Sequence, residues 1–175
     1  MMNYIDEFKK NAISFSWSEL KIGRFGYSDD NFYLQGRIND DYVMAYTLDY
    51  LSKNENEENS FLWELGSLSL SYDETEVYDL LDSITNSDED LQAYYKWRWI
   101  LVNNLLNEIK CMDTINALLE ISEFWLDLQS PFDMPYQYQG INNDMTPEYF
   151  YTEEHLSKVI LEHKEWLISE KKKLS

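Results

Sequence analysis

Helical periodicity dominates the order of apolar and polar positions along the chain. Residues 3–11 place Tyr4, Ile5 and Phe8 on one face of a short amphipathic helix. Ser16 and Glu19 have capping-box spacing, so a second helix opens there, with Trp17 and Leu20 turned inward and Gly23 placed to end it. Residues 24–38 interrupt the pattern. Gly26 and Gly36 punctuate Phe25, Tyr27, Phe32, Tyr33 and Leu34, which reads as a loop or a small β-hairpin turning at Ser28–Asn31. From Asp40 the helical period returns, and over residues 41–53 it puts Tyr42, Ala45, Tyr46, Asp49 and Leu51 near one stripe. A polar connector at Asn54–Asn59 leads to a short apolar helix over residues 60–69, broken near Gly66.

The second half of the pattern is stronger. Asp73 with Glu76 is another capping box, opening a helix over 74–85 with Val77, Leu80, Leu81 and Ile84 inside. Ser87, followed by Asp88, Glu89 and Asp90, opens the longest helix, about residues 88–111. Acids in that first turn offset the helix dipole by about 0.3–1 kcal/mol each. The helix is apolar on most faces, so it is predicted to be central, surrounded by others. Asp113 caps a helix over 114–129, with Ile115, Leu118, Leu119, Ser122, Trp125 and Leu126 inward. Residues 130–151 contain all three prolines and are predicted to form a long loop. Thr152 caps the last helix, 153–172, with Leu156, Val159, Ile160, His163, Trp166 and Leu167 on one stripe. The expected fold is mainly α. It is a single domain, 1–175, arranged as a multi-helix bundle or a short helical-repeat-like array.

Composition makes disorder untenable. A chain of 175 residues with 44% hydrophobic and 16% aromatic content can bury a sizeable core. The single cysteine, Cys111, permits no internal disulfide and no multi-cysteine zinc site. The N-terminus lacks an apolar signal-peptide core, and the densest apolar run, Trp97–Leu106, is interrupted by Arg98, Asn103 and Asn104. A soluble, cytoplasmic protein is expected.

Charge changes the picture most. The chain carries 33 acidic and 14 basic residues, a net charge of −19. Residues 41–90 hold 14 of the acids against Lys53 alone, so two thirds of the excess lies in one window. Such a surface disfavours direct nucleic-acid binding and adhesion to anionic membranes, both of which need Lys and Arg. Several of these acids are helix caps. Asp79, Asp82 and the acids of residues 55–58 have no structural task in the pattern.

The chemistry-bearing residues form no recognisable catalytic set. Asn86–Asp90 begins like a calcium loop but has Leu91 where glycine and Trp97 where a bidentate glutamate are needed, so capping explains it better. His155 and His163 are eight residues apart on one helix, about 12 Å at 1.5 Å per residue, too far to share a metal. His163 is read as a packed histidine. Cys111 follows a helix C-terminus, whose partial negative charge raises a thiol pKa, so a buried or half-buried, inert cysteine is expected. Arg98 shares a stripe with Tyr95, Val102, Leu105 and Ile109 and so requires a carboxylate partner, expected from another helix. No metal, no cofactor and no enzymatic activity are predicted. The loop at 130–151 is the most partner-like segment: Tyr136 and Tyr138, with Tyr149, Phe150 and Tyr151, alternate with acids, as in aromatic binding anchors or as a lid folded on the core.

Ile5, the Trp17–Leu20 segment (Trp-Ser-Glu-Leu), Gly23, the following acidic helix, Lys96–Arg98 (Lys-Trp-Arg) and the charged C-terminal helix together resemble a family of small acidic bacterial proteins of unassigned biochemistry. Members of that family are associated with polymorphic toxin systems, and the resemblance implies an immunity role. The expected function is to bind and neutralise a cognate, basic, nuclease-like toxin. Asp73, Glu74, Glu76, Asp79 and Asp82 are the acidic partner-binding candidates, with Tyr136 and Tyr138 as the aromatic ones. The alternatives are a DNA-mimicking or anti-defence binding protein and, less favoured, an acid-lined metal-dependent enzyme.

Overall fold

A computed structural model describes residues 4–27, 34–68 and 73–174, and no strand occurs among them. The helices are α1 (Tyr4–Lys10), α2 (Trp17–Phe25), α3 (Asp40–Lys53), α4 (Ser60–Ser67), α5 (Glu74–Ile84), α6 (Ser87–Glu108), α7 (Thr114–Asp127), α8 (Pro147–Phe150) and α9 (Glu153–Lys173). A 3₁₀ turn, Ile109–Cys111, prolongs α6. The mainly-α expectation is met. The turn of the expected hairpin, Ser28–Asn31, lies outside the described residues. On its flanks, α2 runs on to Phe25 and residues 34–38 form turns rather than strand.

Local chemistry sets the helix starts. Asn39, Asn59, Asp73, Asp113 and Thr152 each accept a hydrogen bond from a backbone N–H in the first turn of the following helix. Glu19 accepts from both the backbone N–H (2.6 Å) and the hydroxyl (2.5 Å) of Ser16. At α6 the cap is Asn86, whose side chain accepts from the Asp88 and Glu89 N–H groups, so the helix begins at Ser87.

The chain gathers into two compact units, Met1–Trp97 and Arg98–Ser175, with the boundary inside α6. In the first unit α3 packs on α4, α4 on α5, and α5 on α2. Its core includes Phe8, Leu20, Ile22, Leu65, Val77, Leu81 and Trp97, all at or near zero exposure. Seven of the nine residues of α2 are buried, including Glu19, Lys21 and Arg24. Gly23 does not end that helix. It sits inside because a Cβ there would lie 2.4 Å from the Trp97 ring and 2.8 Å from Ile38. The helix ends instead at Gly26, in the left-handed region at φ 86°. The buried stripe of α3 is Val43, Thr47 and Leu51. Of the stripe read from the sequence only Leu51 is buried; Tyr42 and Tyr46 are half-buried, and Ala45 and Asp49 are exposed.

In the second unit α7 and α8 both pack on α9. Ile100, Val102, Leu118, Ile121, Trp125, Val159 and Leu167 are buried. The Trp99 indole N–H donates to the Leu167 carbonyl at 2.8 Å, joining the later part of α6 to α9. The inward face of α7 is Ala117, Leu118, Ile121, Phe124 and Trp125, whereas Ile115, Leu119 and Leu126 are exposed. That corrects the predicted phase of α7, in which all three pointed inward. Cys111 is exposed rather than buried, since the chain leaves α6 at the surface there.

Candidate functional site

The acids of α5 divide into two groups. Asp73 caps the helix through the Thr75 N–H at 3.2 Å. Glu74 accepts from Arg24 at 2.7 Å, and Arg24 also grips Asp40 through Nε (2.5 Å) and Nη2 (3.1 Å). Asp82 accepts from Lys21 at 2.8 Å, and the same ammonium bonds the Thr85 hydroxyl at 3.0 Å and Asp90. Burial alone would lower the Lys21 pKa, but Asp82 and Asp90 outweigh it and the pKa is raised. The hydrogen bond to Asp40 is the chief cause of the raised Arg24 pKa. Glu76 and Asp79, in contrast, are exposed and form no ion pair among the described residues. Asp88 and Glu89 in the first turn of α6 are in the same condition.

Two acids without a task in the sequence pattern have one in the fold. Asp82 holds Lys21. Glu57 accepts from the Asn59 N–H and the Tyr50 hydroxyl, both at 2.9 Å, and these two bonds hold its carboxyl below the ordinary range.

Tyr136 and Tyr138 belong to the second unit. Tyr136 is buried, with its hydroxyl 2.5 Å from that of Ser122, and burial pushes its phenol pKa up. Tyr138 is half-buried, packs edge-on against Tyr136 with ring centroids 5.3 Å apart, and meets the Ser130 hydroxyl at 2.7 Å. These two rings and Phe150 close over the core as a lid, while Phe132, Tyr149 and Tyr151 stay exposed. Arg98 finds its carboxylate in this segment rather than on a helix. It donates to Asp133 at 2.8 Å, and the Trp166 ring lies 5.2 Å from its guanidinium carbon. Burial pushes Asp133 up, but Arg98 more than offsets this and the carboxyl lies below its usual range.

A groove in the first unit was not anticipated. It has a volume of about 460 Å³ and lies between α1, the segment Ile13–Phe15 and α3. Its α3 wall is Tyr42, Ala45, Tyr46 and Asp49, four of the five residues that the periodicity placed near one stripe. The signal was therefore present in the sequence, at i, i+3, i+4 and i+7, but the spacing does not say what the stripe faces.

The histidines are internal. The Trp125 indole N–H donates to His163 Nε2 at 2.8 Å, which leaves the His163 Nδ1–H to donate to the Val159 carbonyl at 2.7 Å. His155 Nδ1 lies 2.7 Å from the Phe150 carbonyl. Among the described residues, no cluster of three or more His, Cys, Asp or Glu is placed to hold a metal, and no helix is long and apolar enough to cross a membrane.

These features define an all-α, acid-rich protein whose open features are a set of unpaired surface carboxylates and an aromatic groove. The chain belongs to the family described as "Uncharacterized protein conserved in bacteria (DUF2247)", which it matches over residues 5–171. That span contains Ile5, Trp17–Leu20, Gly23, Lys96–Arg98 and all but the last residues of the C-terminal helix on which the resemblance to small acidic bacterial proteins rests. Comparison with curated proteins and with solved structures returns no match.

Proposed function

We propose that this is a cytoplasmic immunity protein, which binds a basic, nuclease-like bacterial toxin domain stoichiometrically and carries out no catalysis of its own. The supporting observation is the way charge is sorted in the first unit. Lys21 and Arg24 are buried in ion pairs, and Lys96 is half-buried against Glu19 at 2.6 Å. These three cations are turned inward, although Lys9, Lys10 and Lys53 stay exposed, while Glu76, Asp79, Asp88 and Glu89 face water without partners among the described residues. A surface sorted in this way attracts a phosphate-binding protein, whose own site must be basic, and repels nucleic acid. Asp73, Glu74 and Asp82 extend the same negative field while holding α5 in place. Tyr136 and Tyr138 support the segment from which Phe132, Tyr149 and Tyr151 offer contact area.

The test is stopped-flow association with a basic nuclease toxin domain identified by co-purification with this chain. Glu76→Lys with Asp79→Lys is expected to slow association by about tenfold at low salt, with the rates converging as salt is raised, because steering acts mainly on the on-rate. Wild-type association that does not change with salt would reject an acidic docking surface.

A further inference from the structure

The groove between α1 and α3 has the chemistry of a receptor for one long cationic side chain. Its walls are Ile5, Ile13, Phe15, Tyr42 and Tyr46. Phe15 and Tyr46 stand edge to face at 5.7 Å, Tyr46 leans on Trp17 at 4.9 Å, and Phe15 leans on the buried Phe8 at 5.1 Å. The aromatic wall is thus braced from behind and exists before any ligand arrives. Two carboxylates, Asp6 and Asp49, stand at the rim against one ammonium, Lys9. Asp49 bonds Lys53 at 2.6 Å, but both side chains are largely exposed, and an exposed i, i+4 pair is readily exchanged for another cation. Nearby carboxylates add to the effect of burial on the two phenols of the wall. The Tyr42 phenol is pushed up by burial and then by Asp6, and the Tyr46 phenol by burial and then by Glu19 among other neighbours.

An apolar channel with aromatic faces and an acidic rim suits a side chain with a hydrocarbon stem and a charged, planar head. Arginine fits better than lysine, because a guanidinium can stack on Tyr or Phe while its edge donates to a carboxylate. We propose that this groove accepts an arginine side chain presented by the basic partner. The inference rests on the immunity reading for the identity of the partner, but not for the site itself.

The experiment separates the two. The probe is N-acetyl-argininamide, titrated into the full chain at 0.15 M NaCl and followed by amide chemical shifts. Saturable shifts are expected to cluster on α1, Ile13–Phe15 and α3, with N-acetyl-leucinamide binding at least fivefold more weakly. Ala45→Lys places a rival ammonium in the groove from an exposed helical position, and is expected to abolish probe binding while leaving the circular dichroism spectrum and Tm unchanged. The same variant is expected to weaken the toxin-domain complex at least tenfold, whereas Glu76→Lys with Asp79→Lys leaves probe binding intact. Absent or scattered shifts, or equal binding of the leucine probe, would overturn the groove inference even if the toxin complex forms. Normal probe binding with no toxin complex would overturn the immunity reading and leave the groove standing.

Discussion

His163 has no exposed surface, and both ring nitrogens are engaged, one accepting from Trp125 and the other donating to Val159. A second ring proton would have to displace the Trp125 N–H in a dry environment, so burial pushes the His163 pKa down to about 4. The unfolded chain takes up that proton near 6.5 and the folded chain only near 4. Above pH 6.5 both states are neutral at this residue and its contribution is constant. As the pH falls from 6.5 to 4 the unfolded state binds the extra proton and stability is lost; below 4 the loss levels off. The full difference is about 3 kcal/mol at 1.36 kcal/mol per unit. Urea unfolding at pH 7 and pH 4.5 should show the wild type losing about 2–3 kcal/mol more than His163→Gln. Equal losses in the two proteins would mean that the ring is already hydrated in the native state.

At the scale of the element, α2 is the informative case. Its sequence, Trp-Ser-Glu-Leu-Lys-Ile-Gly-Arg-Phe, alternates charged and apolar residues and reads as a half-exposed helix, yet Ser18 to Arg24 are all buried. What hides them is distant in sequence: Asp82 and Asp90 for Lys21, Asp40 and Glu74 for Arg24, Lys96 for Glu19. Caps at Asp73, Asp113 and Thr152 were legible because a cap is made within four residues of itself. The buried faces of α3 and α7 were not, because both carry apolar residues on two sides and only tertiary packing chooses between them. The same ambiguity hid the groove, because periodicity groups Tyr42 and Tyr46 on one stripe without saying what that stripe faces. The ion pairs of α2 can be ranked by burial. The Lys21 side chain is 5% exposed and its two partners 14% (Asp90) and 58% (Asp82). Lys21→Ala strands Asp90 in a dry pocket and should cost about 3 kcal/mol, whereas Asp82→Ala removes an exposed partner and should cost about 1 kcal/mol or less. Equal costs in urea denaturation would show that the exposed Asp82, not the buried Asp90, carries the stabilisation of Lys21.

At the scale of the whole molecule, a net charge of −19 is a standing strain on the fold, since 33 acids face only 14 basic residues. Lys21 and Arg24 pair with Asp40, Glu74, Asp82 and Asp90, so they do nothing to relieve the exposed Glu76, Asp79, Asp88 and Glu89. Salt should therefore act with opposite signs on folding and on association. Raising ionic strength from 0.01 M to 0.15 M shortens the screening length from about 30 Å to about 8 Å, which weakens repulsion among exposed acids but scarcely reaches buried pairs such as Arg24–Asp40. The expected result is a rise in Tm of about 2–4 °C, the equivalent of about 1 kcal/mol for a chain of this size. Glu76→Lys with Asp79→Lys changes the net charge by four and should raise Tm at 0.01 M salt while shrinking the further gain on adding salt. A fall in Tm with salt would mean that surface ion pairs, not repulsion, dominate, and that the unpaired carboxylates of α5 and α6 are too well hydrated to attract anything. A rise would show that these acids carry an unrelieved field. A basic partner is the natural relief for it, so the salt that steadies the free protein should be the salt that loosens its complex.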